Sequence, residues 1–207
     1  MFRDRLDAAE RLARRLEALH GQHPLVLAIP RGGVPMGRLL ADELEGDLDV
    51  VLVRKIGAPG NPEYAIGAVG EEGQVQLEET ARHAGEAALS REIETQRALI
   101  AERRRRYTPV RAPLDPRGRV VVVVDDGSAT GATMAMALAC LRPRGPARLI
   151  AAIGAAPPDT LARLEALADE VVCLTCSPTF AAVGQFFADF GQVDDDEVMR
   201  LLGTEHG

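Results

Sequence analysis

Residues 121–134 read VVVVDDGSATGATM, and this stretch decides the fold. Its valines end the run 119–124, which is the strongest strand signal in the chain, because an uninterrupted apolar run is typical of a strand buried on both faces. Two acidic residues follow, and then small, hydroxyl and glycine residues lead into a predicted helix from about 131 to 142. This order predicts a parallel α/β sheet whose ligand lies where the strands end.

The turn after this strand has the composition of a phosphate site. Gly127 and Gly131 let the backbone approach a phosphate closely, and the first turn of the next helix leaves N–H groups unpaired. The carboxylates of Asp125 and Asp126 would repel a phosphate unless they accept hydrogen bonds from hydroxyl groups or hold a cation. A ribose 5-phosphate meets both needs, with its phosphate in the turn and its hydroxyls on the acids.

The rest of the chain continues the alternation of strands and helices. Short apolar strands are predicted at 25–29, 49–53, 148–156 and 170–174, and amphipathic helices at about 4–20 and 86–107 and between the strands. The stretch after Arg54 and Lys55 is rich in Gly and Pro and predicts a mobile loop that ends in a hairpin around 70–73. Together these elements predict a three-layer α/β/α fold with a mostly parallel central sheet.

Three other phosphate-related motifs do not fit. A P-loop needs G-x-x-x-x-G-K-[ST], and the chain has a single lysine, Lys55, far from this turn. A dinucleotide fingerprint needs G-x-G-x-x-G in the first strand–helix turn, where the chain reads PRGGVPMG at 30–37. A phospho-receiver carries its acidic pair after its first strand, whereas here the pair follows a late one.

The segment 121–134 resembles the PRPP-binding signature of the type I phosphoribosyltransferases: an apolar strand, two acids and then x-x-x-T-G-x-T. Pro30-Arg31-Gly32-Gly33 is similar to the pyrophosphate loop of that family, and the stretch after Arg54-Lys55 lies where the family has its mobile catalytic loop. The resemblance covers about residues 20–175. It also implies a non-proline cis peptide bond, at Pro30–Arg31 or at Arg31–Gly32.

The resemblance implies a Mg²⁺-dependent transfer in which a base nitrogen attacks C1 of PRPP and pyrophosphate leaves. Charge stabilisation and positioning would dominate such a reaction. The implied catalytic residues are Lys55, Arg31 and Asp126. Lys55, with Arg54 as a second candidate, would neutralise the leaving group. Because every other basic residue is arginine, Lys55 stands out as a place where a compact ammonium matters.

The resemblance also implies the binding residues. Arg31 and the N–H groups of Gly32 and Gly33 would hold pyrophosphate. Asp125 and Asp126 would accept the ribose hydroxyls and hold Mg²⁺ indirectly, through those hydroxyls or water. The implied binding residues for PRPP and its phosphate are Asp125, Asp126, Gly127, Ser128, Ala129, Thr130, Gly131, Ala132 and Thr133.

The acceptor base stays open. Family members that use 6-oxopurines carry a third aspartate where this chain has Ala129, which argues against a hypoxanthine- or guanine-type mechanism. The tail is loosely similar to the family segment that binds the base, and it implies Phe180 as the stacking ring and Asp189 as a polar contact. Phe186, Phe187 and Phe190 are expected to pack the small structure that covers the base.

The predicted organisation is a phosphoribosyltransferase core at 1–175, with the mobile loop and hairpin at 55–80 and a helical insert at 86–107, followed by a C-terminal hood at 176–207. A net charge of −7 disfavours binding to nucleic acid, and the apolar runs are too short to span a membrane. We therefore expect a cytoplasmic protein, and the resemblance implies an enzyme of nucleotide salvage. Its partners would be PRPP and a nitrogenous base, and the 86–107 helix offers a surface for a homodimer.

Two alternative functions, other than phosphoribosyl transfer, stay open. The first is a PRPP-binding regulatory protein that has lost turnover. The second is a hydrolase or accessory protein that keeps the phosphoribosyl site. Lys55, Arg31 and a long mobile loop favour the enzyme, because a sensor needs only the site at 125–133.

Overall fold

The computed structural model describes residues 1–204, with Glu63 described by its backbone alone. This part of the chain forms six α-helices and eight strands. In chain order they are α1 (Arg5–Arg15), β1 (Leu25–Ala28), α2 (Gly33–Glu43), β2 (Asp47–Val50), β3 (Val53–Ala58), β4 (Asn61–Gly70), β5 (Val75–Leu77), α3 (Glu86–Tyr107), β6 (Val120–Gly127), α4 (Ala132–Leu141), β7 (Arg148–Ala156), α5 (Pro158–Glu165), β8 (Glu170–Cys176) and α6 (Asp195–Leu202).

A five-stranded parallel sheet in the order β2-β1-β6-β7-β8 forms the centre. Its middle strand β6 shows why an unbroken valine run was needed. Val122 and Val124 pack into the core on one face of the sheet, whereas Val121 and Val123 pack into the core on the other, and all four are fully buried. The predicted three-layer α/β/α fold is therefore confirmed.

The strand order places a crevice at the end of β6. From β1 the chain continues to β2 on one side of the sheet, while β6 pairs with β1 on the other side. In open α/β sheets such a reversal of strand order separates the loops at the carboxyl ends and leaves room for a ligand between them. Here the two loops are residues 29–32, after β1, and the turn after Gly127.

The segment after Lys55 differs from the predicted loop. It forms a second, antiparallel sheet in the order β3-β4-β5, in which Val53 pairs with Gly70 and Lys55 with Ala68. Ile56 and Val69 are fully buried, so this sheet has an apolar face that packs on the protein. The Gly and Pro residues of this segment concealed its alternation of buried and exposed residues from the prediction. The predicted hairpin around 70–73 is present between β4 and β5.

The second central strand also differs from its prediction. It runs over Asp47–Val50 rather than 49–53, and Val53 already belongs to β3. The acidic residues in this strand concealed its start from the prediction. The folded protein tolerates them because they pair with arginines from distant segments. Asp49 is buried beside Arg104 of α3, and Asp47 contacts Arg111 and Arg119.

The N-terminal segment meets part of the tail in one layer. Residues 1–5 lie beside residues 186–191, and we call these two segments the terminal layer. Phe2 N donates to Phe186 O, and the N–H groups of Ala188 and Asp189 donate to the carbonyls of Phe2 and Arg3. The rings of Phe2 and Phe187 lie 5.1 Å apart between centroids. The N-terminus therefore packs against the tail that was predicted to form the hood.

No helix within residues 1–204 combines the length and the apolar character that a membrane span requires.

Candidate active site

The acidic pair lies at the carboxyl end of β6, as predicted. Asp126 is buried, and its N–H donates to Asp125 Oδ1 over 2.9 Å. Burial raises the pKa of both carboxyls, and the charge of Asp126 raises the pKa of Asp125 further. The ionised pair is therefore costly unless cations or hydroxyl groups face it.

The loop after β1 lies directly against this pair. The Pro30–Arg31 peptide bond is cis, as predicted. A methyl group placed on Gly32 would lie 2.2 Å from Asp126 Oδ2, and one on Gly33 would lie 2.6 Å from Val124 O. The predicted pyrophosphate loop and the predicted ribose carboxylates thus share one crevice.

This close approach leaves no room for a side chain at residue 33, and a substitution there should destabilise the fold. In Gly33→Ala the new methyl group would lie 2.6 Å from Val124 O and 3.3 Å from Asp125 Cα. Both are backbone atoms, so α2 must shift away from β6. We expect a cost of about 1–3 kcal/mol and a melting temperature lower by several degrees, measured by circular dichroism. Gly191→Ala is the control, because its methyl group meets only Asp189 Oδ1 at 4.0 Å. An unchanged melting temperature in Gly33→Ala would contradict the close packing.

The turn after the acidic pair forms a cup at the N-terminus of α4. Gly131 has φ +73°, a left-handed conformation that favours glycine. Ser128 Oγ accepts from Gly131 N over 3.0 Å, and Thr130 Oγ1 accepts from Ala132 N over 3.4 Å. The hydroxyl of Thr160 donates to Ala129 O and fastens the turn to α5. These bonds fix the turn in front of the helix N-terminus, where an anion is favoured, and they occupy the N–H groups of Gly131 and Ala132.

Lys55 lies beside this cup. A cavity of about 580 Å³ between the β3-β4-β5 sheet and α4 is lined by Lys55, Thr130, Ala132 and Thr133. Arg163 and Tyr64, which the sequence analysis did not single out, line the same cavity. The structure therefore brings Lys55 together with the predicted phosphate cup, whereas Arg31 and the acidic pair lie outside the lining of this cavity.

Arg54, the second candidate for the leaving group, has a different position. Its Nε donates to Gln96 Oε1 on α3 over 2.5 Å, and it does not line the cavity that holds Lys55. Neighbouring residues of a strand point to opposite faces, so Lys55 and Arg54 cannot act together on one phosphate group.

Arg5 contacts the acidic pair and was missed by the sequence analysis. Its Nε donates to Asp126 Oδ2 over 2.8 Å, and both side chains are nearly buried. Its Nη1 donates to Gly191 O over 2.6 Å, and its Cζ lies 3.9 Å from the centre of the Phe190 ring. No local signal marks Arg5, because 121 residues separate it from Asp126.

The two predicted base-binding residues lie on the tail. The Phe180 ring packs on Phe186 with centroids 5.0 Å apart, and Asp189 is exposed, with its N–H bound to Arg3 O. The aromatic ring next to the acidic pair is instead Phe190, through its contact with Arg5. A role for Phe180 and Asp189 in base binding stays a prediction.

The acidic pair supplies the side chains that could hold Mg²⁺. In the part of the chain that the structure describes, no three His, Cys, Asp or Glu side chains come together as a metal cluster. Asp125 and Asp126 supply two carboxylates, and Mg²⁺ in proteins is commonly held by one or two carboxylates with waters and substrate oxygens. The pair therefore fits a Mg²⁺ ion that arrives with an oxygen-rich ligand.

Residues 3–190 match the family model described as the phosphoribosyl transferase domain. A Mycobacterium tuberculosis protein, provisionally named as a phosphoribosyl transferase, is 41% identical over 209 aligned residues, which cover 100% of this chain and 47% of that protein. The chain thus spans about half the length of this curated relative. The crystal structure of TT1426 from Thermus thermophilus is 46% identical, with a TM-score of 0.86, over 100% of this chain and 99% of that one.

Proposed function

The chain belongs to the phosphoribosyl transferase family, and we propose that it transfers the 5-phosphoribosyl group of PRPP to a nitrogenous base with release of pyrophosphate. The observation that carries the proposal is the contact between two loops at the end of the sheet. Gly32 lies against Asp126, so a ligand in this crevice meets the 30–33 loop and the acidic pair together. A sugar that carries both hydroxyls and a pyrophosphate has this combination of groups.

In the proposed reaction the acceptor nitrogen forms a bond to C1 while the bond from C1 to the pyrophosphate oxygen breaks. The electron pair of the broken bond leaves with pyrophosphate, and the proton of the acceptor nitrogen passes to water. Asp125 and Asp126 accept hydrogen bonds from the ribose hydroxyls and fix the ring. The turn at 127–133 holds the 5-phosphate through N–H groups and hydroxyls. Arg31 and the N–H group of Gly32 bind the pyrophosphate and favour its departure. The N–H group of Gly33 already donates to Ile29 O over 3.0 Å, so Gly33 contributes by letting the loop lie close to β6 rather than by donating to the ligand.

A Mg²⁺ ion, when bound, would supply positive charge to the pyrophosphate and to the ribose oxygens. Asp125 and Asp126 would hold it through those oxygens or through water. Lys55 would add a cation near the substrate from the β3-β4-β5 sheet, where it lines the cavity next to the phosphate cup.

A second candidate is a PRPP-binding regulator without turnover. The ion pair between Arg5 and Asp126 is the observation that favours it, because this pair gives the acidic residues a cation before any ligand arrives. The cavity with Lys55 favours the enzyme, since a binding protein needs no cation beyond the cup and the 30–33 loop.

The test is release of pyrophosphate from PRPP in the presence of Mg²⁺ and single bases, including adenine, hypoxanthine, guanine and orotate. We expect release with one base, none in EDTA, and none with hypoxanthine or guanine, because Ala129 replaces the aspartate that 6-oxopurine enzymes use. Binding of PRPP without release by any base would favour the regulator. Absence of PRPP binding would overturn both candidates.

A further inference from the structure

We propose that Arg5 competes with ribose for Asp126, so that a phosphoribosyl ligand must displace Arg5 and thereby loosens the terminal layer. The inference rests on the proposed function, because it takes Asp126 to be a ribose carboxylate. It assigns to the first residue of α1 a role in setting the affinity of the site.

The contact geometry supports the competition. Arg5 Nε binds Oδ2 of Asp126, and this is the oxygen that faces the 30–33 loop, since it lies 2.2 Å from a methyl group placed on Gly32. A ribose held between this loop and the acidic pair would need the same oxygen. Oδ2 can accept a second hydrogen bond, but it already lies between the Arg5 guanidinium and Gly32, and only 11% of the Asp126 side chain is exposed. A ribose hydroxyl therefore needs the space that Arg5 fills.

The electrostatics explain why an arginine occupies this place. Two adjacent carboxylates at the end of a buried strand repel each other when both are ionised, and Asp126 is buried away from water. Arg5 lowers that cost for Asp126 while the crevice holds no ligand. Ribose hydroxyls with their cation would replace Arg5 in this function.

The same guanidinium holds the terminal layer. It donates to Gly191 O and lies over the Phe190 ring, while Arg3 and Phe2 bind the backbone of residues 188–189. Displacement of Arg5 would therefore remove contacts that join residues 186–191 to the acidic pair.

A cavity next to Arg5 can accommodate its side chain after displacement from Asp126. It measures about 540 Å³, and Arg5 itself lines it. Among the described residues, its lining carries more carboxylates than cations. The carboxylates are Asp4, Asp42, Glu43, Asp189 and Glu197, and the other cations are Arg38 and Arg200. The guanidinium can thus leave Asp126 and remain in acidic surroundings.

Calorimetric titration with ribose 5-phosphate tests the competition, because this ligand has the hydroxyls and the phosphate but no pyrophosphate. We expect Arg5→Ala to bind about tenfold more tightly than the wild type, equivalent to about 1.4 kcal/mol. Arg5→Gln removes the charge but keeps a polar side chain, and it serves if the alanine variant does not fold. Arg11→Ala is the matched control: Arg11 lies on the same helix, pairs with Asp7 and lies over the Phe2 ring, and its removal should not change the affinity.

Hydrogen exchange at the amides of Ala188 and Asp189 gives a second measurement. In the wild type, ribose 5-phosphate should speed their exchange, because these N–H groups belong to the terminal layer. In Arg5→Ala exchange should be fast already and should not respond to the ligand.

The outcomes separate this inference from the proposed function. Tighter binding by the Arg5 variants, with ligand-dependent exchange in the wild type alone, supports it. If the wild type binds but the Arg5 variants bind equally or more weakly, the inference is overturned and the proposed function stands. If the wild type binds neither ribose 5-phosphate nor PRPP, the proposed function fails and the inference fails with it.

Discussion

Replacing both strand-end carboxylates, as Asp125→Asn with Asp126→Asn, is expected to abolish the rise in melting temperature that PRPP and Mg²⁺ produce. A ligand at a hundred times its Kd stabilises the folded state by about 2.7 kcal/mol, which corresponds to roughly 5–10 °C for a chain of this size. The double variant should show no such rise, because amides accept ribose hydroxyls weakly and hold no Mg²⁺. Thermal melting with and without PRPP measures the effect.

The same variant should remain folded. Burial raises the pKa of both carboxyls, so the folded protein binds protons more tightly than the unfolded chain. The ionised pair therefore lowers the free energy of unfolding at neutral pH, and this cost disappears as the pH falls through the raised pKa values. The amides remove the cost, while Arg5 loses its ionic partner.

The pH dependence is the internal control of this experiment. The melting temperature of the double variant, relative to the wild type, should be greatest at neutral pH. It should decrease as the pH falls toward the ordinary aspartate pKa of about 3.9. A double variant that still gains the full stabilisation from PRPP would show that the acidic pair is not the ribose site.

The part of the site that could be predicted is contiguous in sequence. Asp125 and Asp126 follow a run of valines, and the glycine and hydroxyl residues come directly before α4, so strand, turn and helix lie within one short segment. The 30–33 loop follows β1 in the same way. In a parallel sheet, residues at the carboxyl ends of neighbouring strands meet, so these two loops could be placed together without a structure.

The second sheet could not be predicted from local composition. Residues 53–70 contain glycines and prolines that normally indicate loops, yet Ile56 and Val69 bury one face of the β3-β4-β5 sheet. Gly67 is required there for a different reason, because a methyl group on it would lie 2.5 Å from Gln76 O of β5. Close strand packing, rather than a flexible turn, accounts for that glycine.

The role of Arg5 could not be predicted from the sequence for another reason. The chain has 24 basic residues, of which Lys55 alone is not arginine, so one arginine near the N-terminus carries no distinguishing signal. Its role depends on contacts between residues 1–5 and 186–191, which bring the N-terminal segment and part of the tail to the end of β6. Only the folded arrangement reveals that pairing.

Lys55→Ala is expected to lower kcat by about 100-fold and to change the KM for PRPP by less than about threefold. The physical reason is the timing of the charge. Negative charge on pyrophosphate grows as its bond to C1 breaks, so a cation near it stabilises the transition state more than bound PRPP. Lys55→Arg should recover part of the loss, because it keeps the charge but not the compact ammonium group. Initial rates of pyrophosphate release, at several PRPP concentrations, give both parameters.

The position of Lys55 makes the opposite result equally informative. Lys55 lines the cavity with Thr130 and Thr133, beside the cup for the 5-phosphate, and the 5-phosphate carries the same charge before and during the reaction. A cation that binds it would contribute equally to PRPP and to the transition state, so its loss would raise KM and leave kcat unchanged. Arg82→Ala is the matched control, since Arg82 is 65% exposed, lies outside that cavity and should alter neither parameter. A raised KM with an unchanged kcat in Lys55→Ala would therefore reject the leaving-group role and assign Lys55 to the phosphate cup.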